Sequence, residues 1–123
     1  MNGNSILLDT NIILYLFGGD RSLISVLEGK NLYISFVTQL ELLSYQGITQ
    51  KETRQISEFI DECTIIDITE GIKEIAIKLR KKHKLRLPDS LILATAIWLN
   101  IPVITADKDF TKVPDADVII YES

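Results

Sequence analysis

One cysteine, Cys63, and one histidine, His83, are the whole supply of thiol and imidazole in 123 residues. A lone thiol excludes an internal disulfide and suits a reducing compartment. The pair also falls short of the usual cysteine and histidine ligand set for zinc. Cys63 reads as a small core residue. No apolar run approaches the roughly 20 residues of a membrane span. The apolar stretch near the N-terminus has no basic flank and is broken at Asp9, Thr10 and Asn11. These absences point to a cytoplasmic chain with no membrane attachment. A basic excess is missing as well. Lys and Arg number 13 against 17 Asp and Glu, leaving a net charge of −4. That is the wrong sign for holding nucleic acid by bulk charge. Repeats, low-complexity tracts and linkers are also absent.

What remains is the composition of one globular domain over residues 1–123. The apolar fraction is 46% and the charged fraction 24%, enough to bury a core without staples. Strand-like and helix-like stretches alternate along it. Residues 5–9 form a short apolar strand, and a helix from Asn11 to Phe17 stops at Gly18-Gly19. Asp20 caps a second helix over 20–28. A strand over 31–36 precedes a helix over 37–46, ended by Gly47, with Val37, Leu40 and the Leu43–Ser44 side facing the core. Thr49 and Glu52 make a capping box for an amphipathic helix reaching Glu62. After a strand over 63–68, a helix from Thr69 to about Lys84 carries the apolar stripe Ile72, Ile75, Ala76 and Leu79. Pro88 suits the first turn of a helix over 87–100 that is apolar nearly all round after Ser90, and so deeply buried. Strands over 101–105 and 117–122 flank a turn at "ADKDF".

Short, unbroken apolar strands alternating with helices predict an α/β fold. A central, mainly parallel sheet of four or five strands lies between two helical layers, in a Rossmann-like three-layer sandwich. Ligands of such sheets bind beyond the carboxyl ends of the strands. Asp9 ends the first strand, and Asp107 lies just past the strand that ends at Thr105.

Four acids stand in apolar settings: Asp9, Glu41, Asp89 and Asp107. Taken alone, Asp9 is a helix cap, Glu41 a rim glutamate, Asp89 a first-turn carboxylate and Asp107 a turn residue. Asp109 competes with Asp107 for the same role. Brought together, they would repel one another strongly. Two unit charges about 4 Å apart cost about 4 kcal/mol at an effective dielectric of roughly 20. A hard divalent cation, Mg²⁺ or Mn²⁺, relieves that repulsion with oxygen ligands alone. Such a site activates water and offsets charge on a phosphodiester without a histidine or serine nucleophile. The cations Lys78, Arg80, Lys81, Lys82, Lys84 and Arg86 crowd around His83. The plainer reading is a helix end complementing its dipole, and the functional one is a phosphate-contacting patch.

"LLDTNIILY", "TQLELL", "LPDSLILATA" and "VITADKDF", in this order and spacing, resemble the PIN-domain family, in particular the VapC-type ribonuclease toxins of toxin–antitoxin pairs. The resemblance runs from about residue 6 to 121. It implies a Mg²⁺- or Mn²⁺-dependent endoribonuclease with Asp9, Glu41, Asp89 and Asp107 as catalytic metal ligands. Asn11 and Thr105 match supporting positions. It further implies an RNA substrate, a homodimer and an antitoxin whose tail blocks the acidic pocket. Lys78, Lys81, Lys82, Lys84 and Arg86 are the surface that would contact RNA and compensate for the chain's own net negative charge. A housekeeping RNA-processing nuclease would share these residues. A non-catalytic binding module is a further alternative. A haloacid dehalogenase-like phosphatase, with Asp9 as nucleophile, would place a second aspartate where this chain has Asn11.

Overall fold

Ser5–Leu8, β1, is buried along its whole length, because side chains on successive residues enter different cores. Leu7 points into one, while Ile6 and Leu8 point into the other. The computed structural model describes residues 3–122. After β1 come α1 (Thr10–Phe17) and α2 (Arg21–Leu27), then β2 (Asn31–Ser35), α3 (Phe36–Leu43) and α4 (Gln50–Glu62). β3 (Thr64–Ile66) leads to α5 (Glu70–His83), α6 (Leu87–Leu99) and β4 (Val103–Thr105). A 3₁₀ turn, Lys108–Lys112, leads to β5 (Val118–Ile120).

All five strands pair in parallel, in the order β3-β2-β1-β4-β5. The chain builds outward from β1 through β2 to β3, then crosses back to lay β4 on the other side of β1. The order therefore reverses between β1 and β4. At such a switch point the connections leave in opposite directions and open a crevice at the carboxyl edge. α5 and α6 cover one face with Ile72, Ala76, Ile92 and Leu93. α1, α2 and α4 cover the other with Ile12, Ile13, Leu23, Ile56 and Ile60.

Local chemistry sets most of the boundaries. The Asp20 carboxylate accepts from the Leu23 amide, and Thr49 and Glu52 close their reciprocal cap on α4. Lys84 and Asn100 take the left-handed conformation that ends α5 and α6. Gly71 is a close approach: a Cβ there would meet the Trp98 indole nitrogen at 2.6 Å, so α5 and α6 lie tightly side by side.

Several expectations need correction. α3 ends at Leu43, well before Gly47, with Ser44 as its cap and the Ser44 hydroxyl donating to the Leu40 carbonyl. Its buried side is Val37, Thr38 and Leu42, whereas Leu40 and Leu43 are 61% and 48% exposed. α6 buries Ile92 through Ala96 but leaves Leu87 and Trp98 open. "ADKDF" is not a plain turn but enters the 3₁₀ segment, whose Phe110 is fully buried. The strands are shorter than the apolar runs that contain them, since ladder pairing stops where the connections diverge. Cys63 is half-buried against the second core, and its thiol is pushed up to about 11 by desolvation and by Glu62. That fits an unreactive packing residue.

Candidate active site

Asp9 sits at the end of β1, beside the crevice, and caps α1. Its Oδ1 accepts from the Thr10 amide at 2.8 Å. Its Oδ2 accepts from the hydroxyl of Thr105, the last residue of β4, at 2.7 Å. Only 6% of Asp9 is exposed. Burial pushes its carboxyl above the ordinary value. The hydrogen bonds from Thr105 and Thr10 pull it back, and the charges of Asp89 and Glu41 raise it again.

Thr105 also fixes the next acid. Its Oγ1 accepts from the Asp107 amide at 3.0 Å, and Asp107 Oδ1 accepts from the Asp109 amide at 2.9 Å to open the 3₁₀ segment. Glu41 approaches from α3. Its Oε1 accepts from the Thr10 hydroxyl at 2.6 Å, and Thr10 Oγ1 in turn lies 3.0 Å from the Oγ1 of the buried Thr38. Asp89 approaches from the first turn of α6, where Oδ2 accepts from Arg86 Nε at 3.2 Å.

Asp9, Glu41, Asp89 and Asp107 line one cavity of about 180 Å³, with Asn11, Arg86 and Tyr45 on its walls. Asp109 is outside it and pairs with Lys112 at 3.1 Å. Thr105 stands behind Asp9 rather than on the cavity wall. Of the basic residues singled out in the sequence, Arg86 alone lines the cavity. Lys78, Lys81, Lys82 and Lys84 are exposed around the C-terminal end of α5. That basic end lies a short loop away from Arg86 in the chain. A larger cavity of about 450 Å³, near Phe17, Ile24 and Phe59, is mostly apolar and holds only Glu28 as a charged group. It lacks the groups for chemistry.

The acids share a pocket but are not drawn round one point. Among the described residues, no three acid, histidine or cysteine side chains stand close enough to hold a metal ion as they are. Each acid has a hydrogen-bonding partner here: Asp9 is held by Thr105 and Thr10, Glu41 by Thr10, Asp89 by Arg86, and Asp107 by the Asp109 amide. The donor set still fits a hard divalent cation, being all carboxylate oxygen around one polar cavity. Thr10 and Thr38, which steer Glu41, were missed in the sequence. So was Tyr45, which the expected helix over 37–46 would have contained and which lies in the loop after α3.

The PIN domain family model matches residues 6–116. Comparison with curated proteins finds no match. Among solved structures, a toxin–antitoxin complex from Klebsiella pneumoniae contains a chain 33% identical, covering 96% of this chain and 99% of that one, with a TM-score of 0.82. VapBC2 from Rickettsia felis, bound to a promoter DNA fragment, matches at 22% identity, 96% and 99% coverage and a TM-score of 0.86. VapBC-1 from nontypeable Haemophilus influenzae matches at 24% identity, 94% and 97% coverage and a TM-score of 0.79.

Proposed function

This chain belongs to the PIN domain family, and from that premise we propose that it is a metal-dependent endoribonuclease, the toxin of a toxin–antitoxin pair. The observation that carries the reading is one polar cavity at the β1/β4 switch point lined by all four acids, Asp9, Glu41, Asp89 and Asp107. The 33% identity over nearly the full length of the Klebsiella chain supports the toxin assignment.

In this reading Asp9, Glu41, Asp89 and Asp107 hold Mg²⁺ or Mn²⁺. Such an ion, when bound, lowers the pKa of water and offsets charge on a phosphodiester. The protein's part is placement. Thr105 orients the Asp9 carboxylate and, through its accepted amide bond, the start of the Asp107 segment. Thr10 orients Glu41. Asn11 on the cavity wall offers an amide to the substrate backbone. Arg86, with Lys78, Lys81, Lys82 and Lys84 beyond it, supplies phosphate contacts that counter the net negative charge. An antitoxin, a second copy of this chain in a homodimer and a cytoplasmic location complete the proposal. Among the described residues, no helix is long and apolar enough to cross a membrane.

The test is incubation of the purified protein with total RNA, with Mg²⁺ or Mn²⁺ and with chelator, beside Asp89→Asn. Cleavage should need both the metal and Asp89. Metal-independent cleavage, or full activity in Asp89→Asn, overturns the reading. Copurification of a short partner chain checks the toxin assignment.

A further inference from the structure

Beside the acidic cavity lies a second one, of about 280 Å³. Leu14 and Tyr45 line both, so one thickness of side chain separates them. The second cavity has an apolar floor of Ile48 and Ile56, Phe17 at one side and the Gln55 amide on its wall. Ile56 is part of the core, and Phe17 meets Phe59 edge-on with ring centroids 5.7 Å apart. Tyr45 is half-exposed, and neither its ring nor its hydroxyl has a hydrogen-bonding or ring partner among the described residues. The Gln55 side chain is exposed and equally unengaged. An amide offers a donor and an acceptor together, as the edge of a nucleobase requires. An aromatic face is what an unpaired base stacks on.

A nucleotide is itself a phosphate joined to a flat ring system. The two adjoining cavities repeat that division, carboxylate-lined on one side and largely apolar with Phe17 and Tyr45 on the other, where the Glu52 carboxylate is engaged by the Thr49 amide in the cap of α4. We propose that the second cavity is the subsite for the unpaired base adjoining the scissile phosphate, with Tyr45 stacking on its face and Gln55 reading its edge. The proposal rests on the nuclease reading above and adds to it the residues that seat one base.

Binding and cleavage separate the two ideas. A short single-stranded RNA carries a fluorescent adenine analogue, whose emission is quenched by stacking, at each position in turn. Mixing with wild-type protein in Mg²⁺ by stopped flow should quench it at one position. Tyr45→Phe should keep the quenching and Tyr45→Ala should lose it. Affinity should fall about tenfold in Tyr45→Ala, as expected for one lost stacking contact. Replacing the base at that position by an abasic residue should cost wild type a similar factor and Tyr45→Ala little more. Gln55→Ala should leave the quenching and flatten the preference among bases. Quenching that is absent from wild type, or unchanged in Tyr45→Ala, overturns the subsite whether or not RNA is cleaved. Weaker capture of a copurifying partner chain by Tyr45→Ala, with quenching unchanged, overturns it in favour of a protein occupant. The nuclease reading is judged separately, by metal-dependent cleavage in the wild type.

Discussion

Asp9 is held from two sides yet kept from water, and the balance has a measurable sign. Its carboxyl is raised in the folded protein, chiefly by burial, so the folded chain binds a proton more tightly than the unfolded one. Stability then falls as pH rises from the ordinary carboxylate range up through the raised value. Without metal, urea titrations across that window should show this decline, and Asp9→Asn should remove its share of the slope. Added Mg²⁺ should blunt the decline in the wild type, because a cation favours the charged form. Arg86 gives a second prediction. It is the cation on the cavity wall and engages Asp89 from a side chain 79% exposed. Arg86→Gln should bind Mn²⁺ several-fold more tightly by calorimetry, since no internal cation competes, and should bind RNA more weakly. The two effects have opposite signs, which a general loss of structure would not produce. At this scale the sequence was informative where a residue's place followed from a strand end, as for Asp9, Thr105 and Asp107. It was silent on the contact from Thr10 to Glu41, because a hydroxyl's partner 31 residues away depends on how two helices come to lie.

Helix α3 shows how a face can be misjudged. Eight residues make barely two turns, and six of the eight are apolar or Thr, so periodicity offers little to choose between sides. The decisive feature is Thr38, which is buried because Thr10 gives its hydroxyl a partner. A polar residue that finds such a bond can enter a core at little cost. Burying Thr38 turns Leu40 and Leu43 outward and brings Glu41 to the cavity rim. The consequence for stability is direct. Leu40→Lys should change the unfolding free energy by no more than about 0.5 kcal/mol, as for an ordinary surface site. Leu42→Ala should cost about 2–5 kcal/mol through the cavity it leaves. Chemical denaturation of the two variants checks the assignment. The α4 cap was readable because its residues lie close in sequence and their reciprocal bonds are local.

For the whole molecule, ligand binding and stability are linked. A cation that binds only the folded chain stabilises it, by about 2.7 kcal/mol at a hundredfold excess over Kd. The melting temperature of the wild type should therefore climb with Mn²⁺ concentration and return on chelation. Asp89→Asn should climb far less. The parallel sheet and its acid-bearing carboxyl edge were legible in the sequence, since both follow from alternating strands and helices and from where the acids fall. The strand order and the distance between acids were not, because they arise only when the return crossover lays β4 against β1.

On the toxin reading proposed above, that crossover also decides when the chain becomes dangerous to the cell that makes it. Asp9 is translated early, but the hydroxyl that steadies it belongs to Thr105, 96 residues later. Until that stretch has left the ribosome and slotted in beside β1, the acidic pocket lacks one wall and its second strand. A nascent polypeptide halted before Val103 should thus be harmless, and full potency should arrive only with the final part of synthesis.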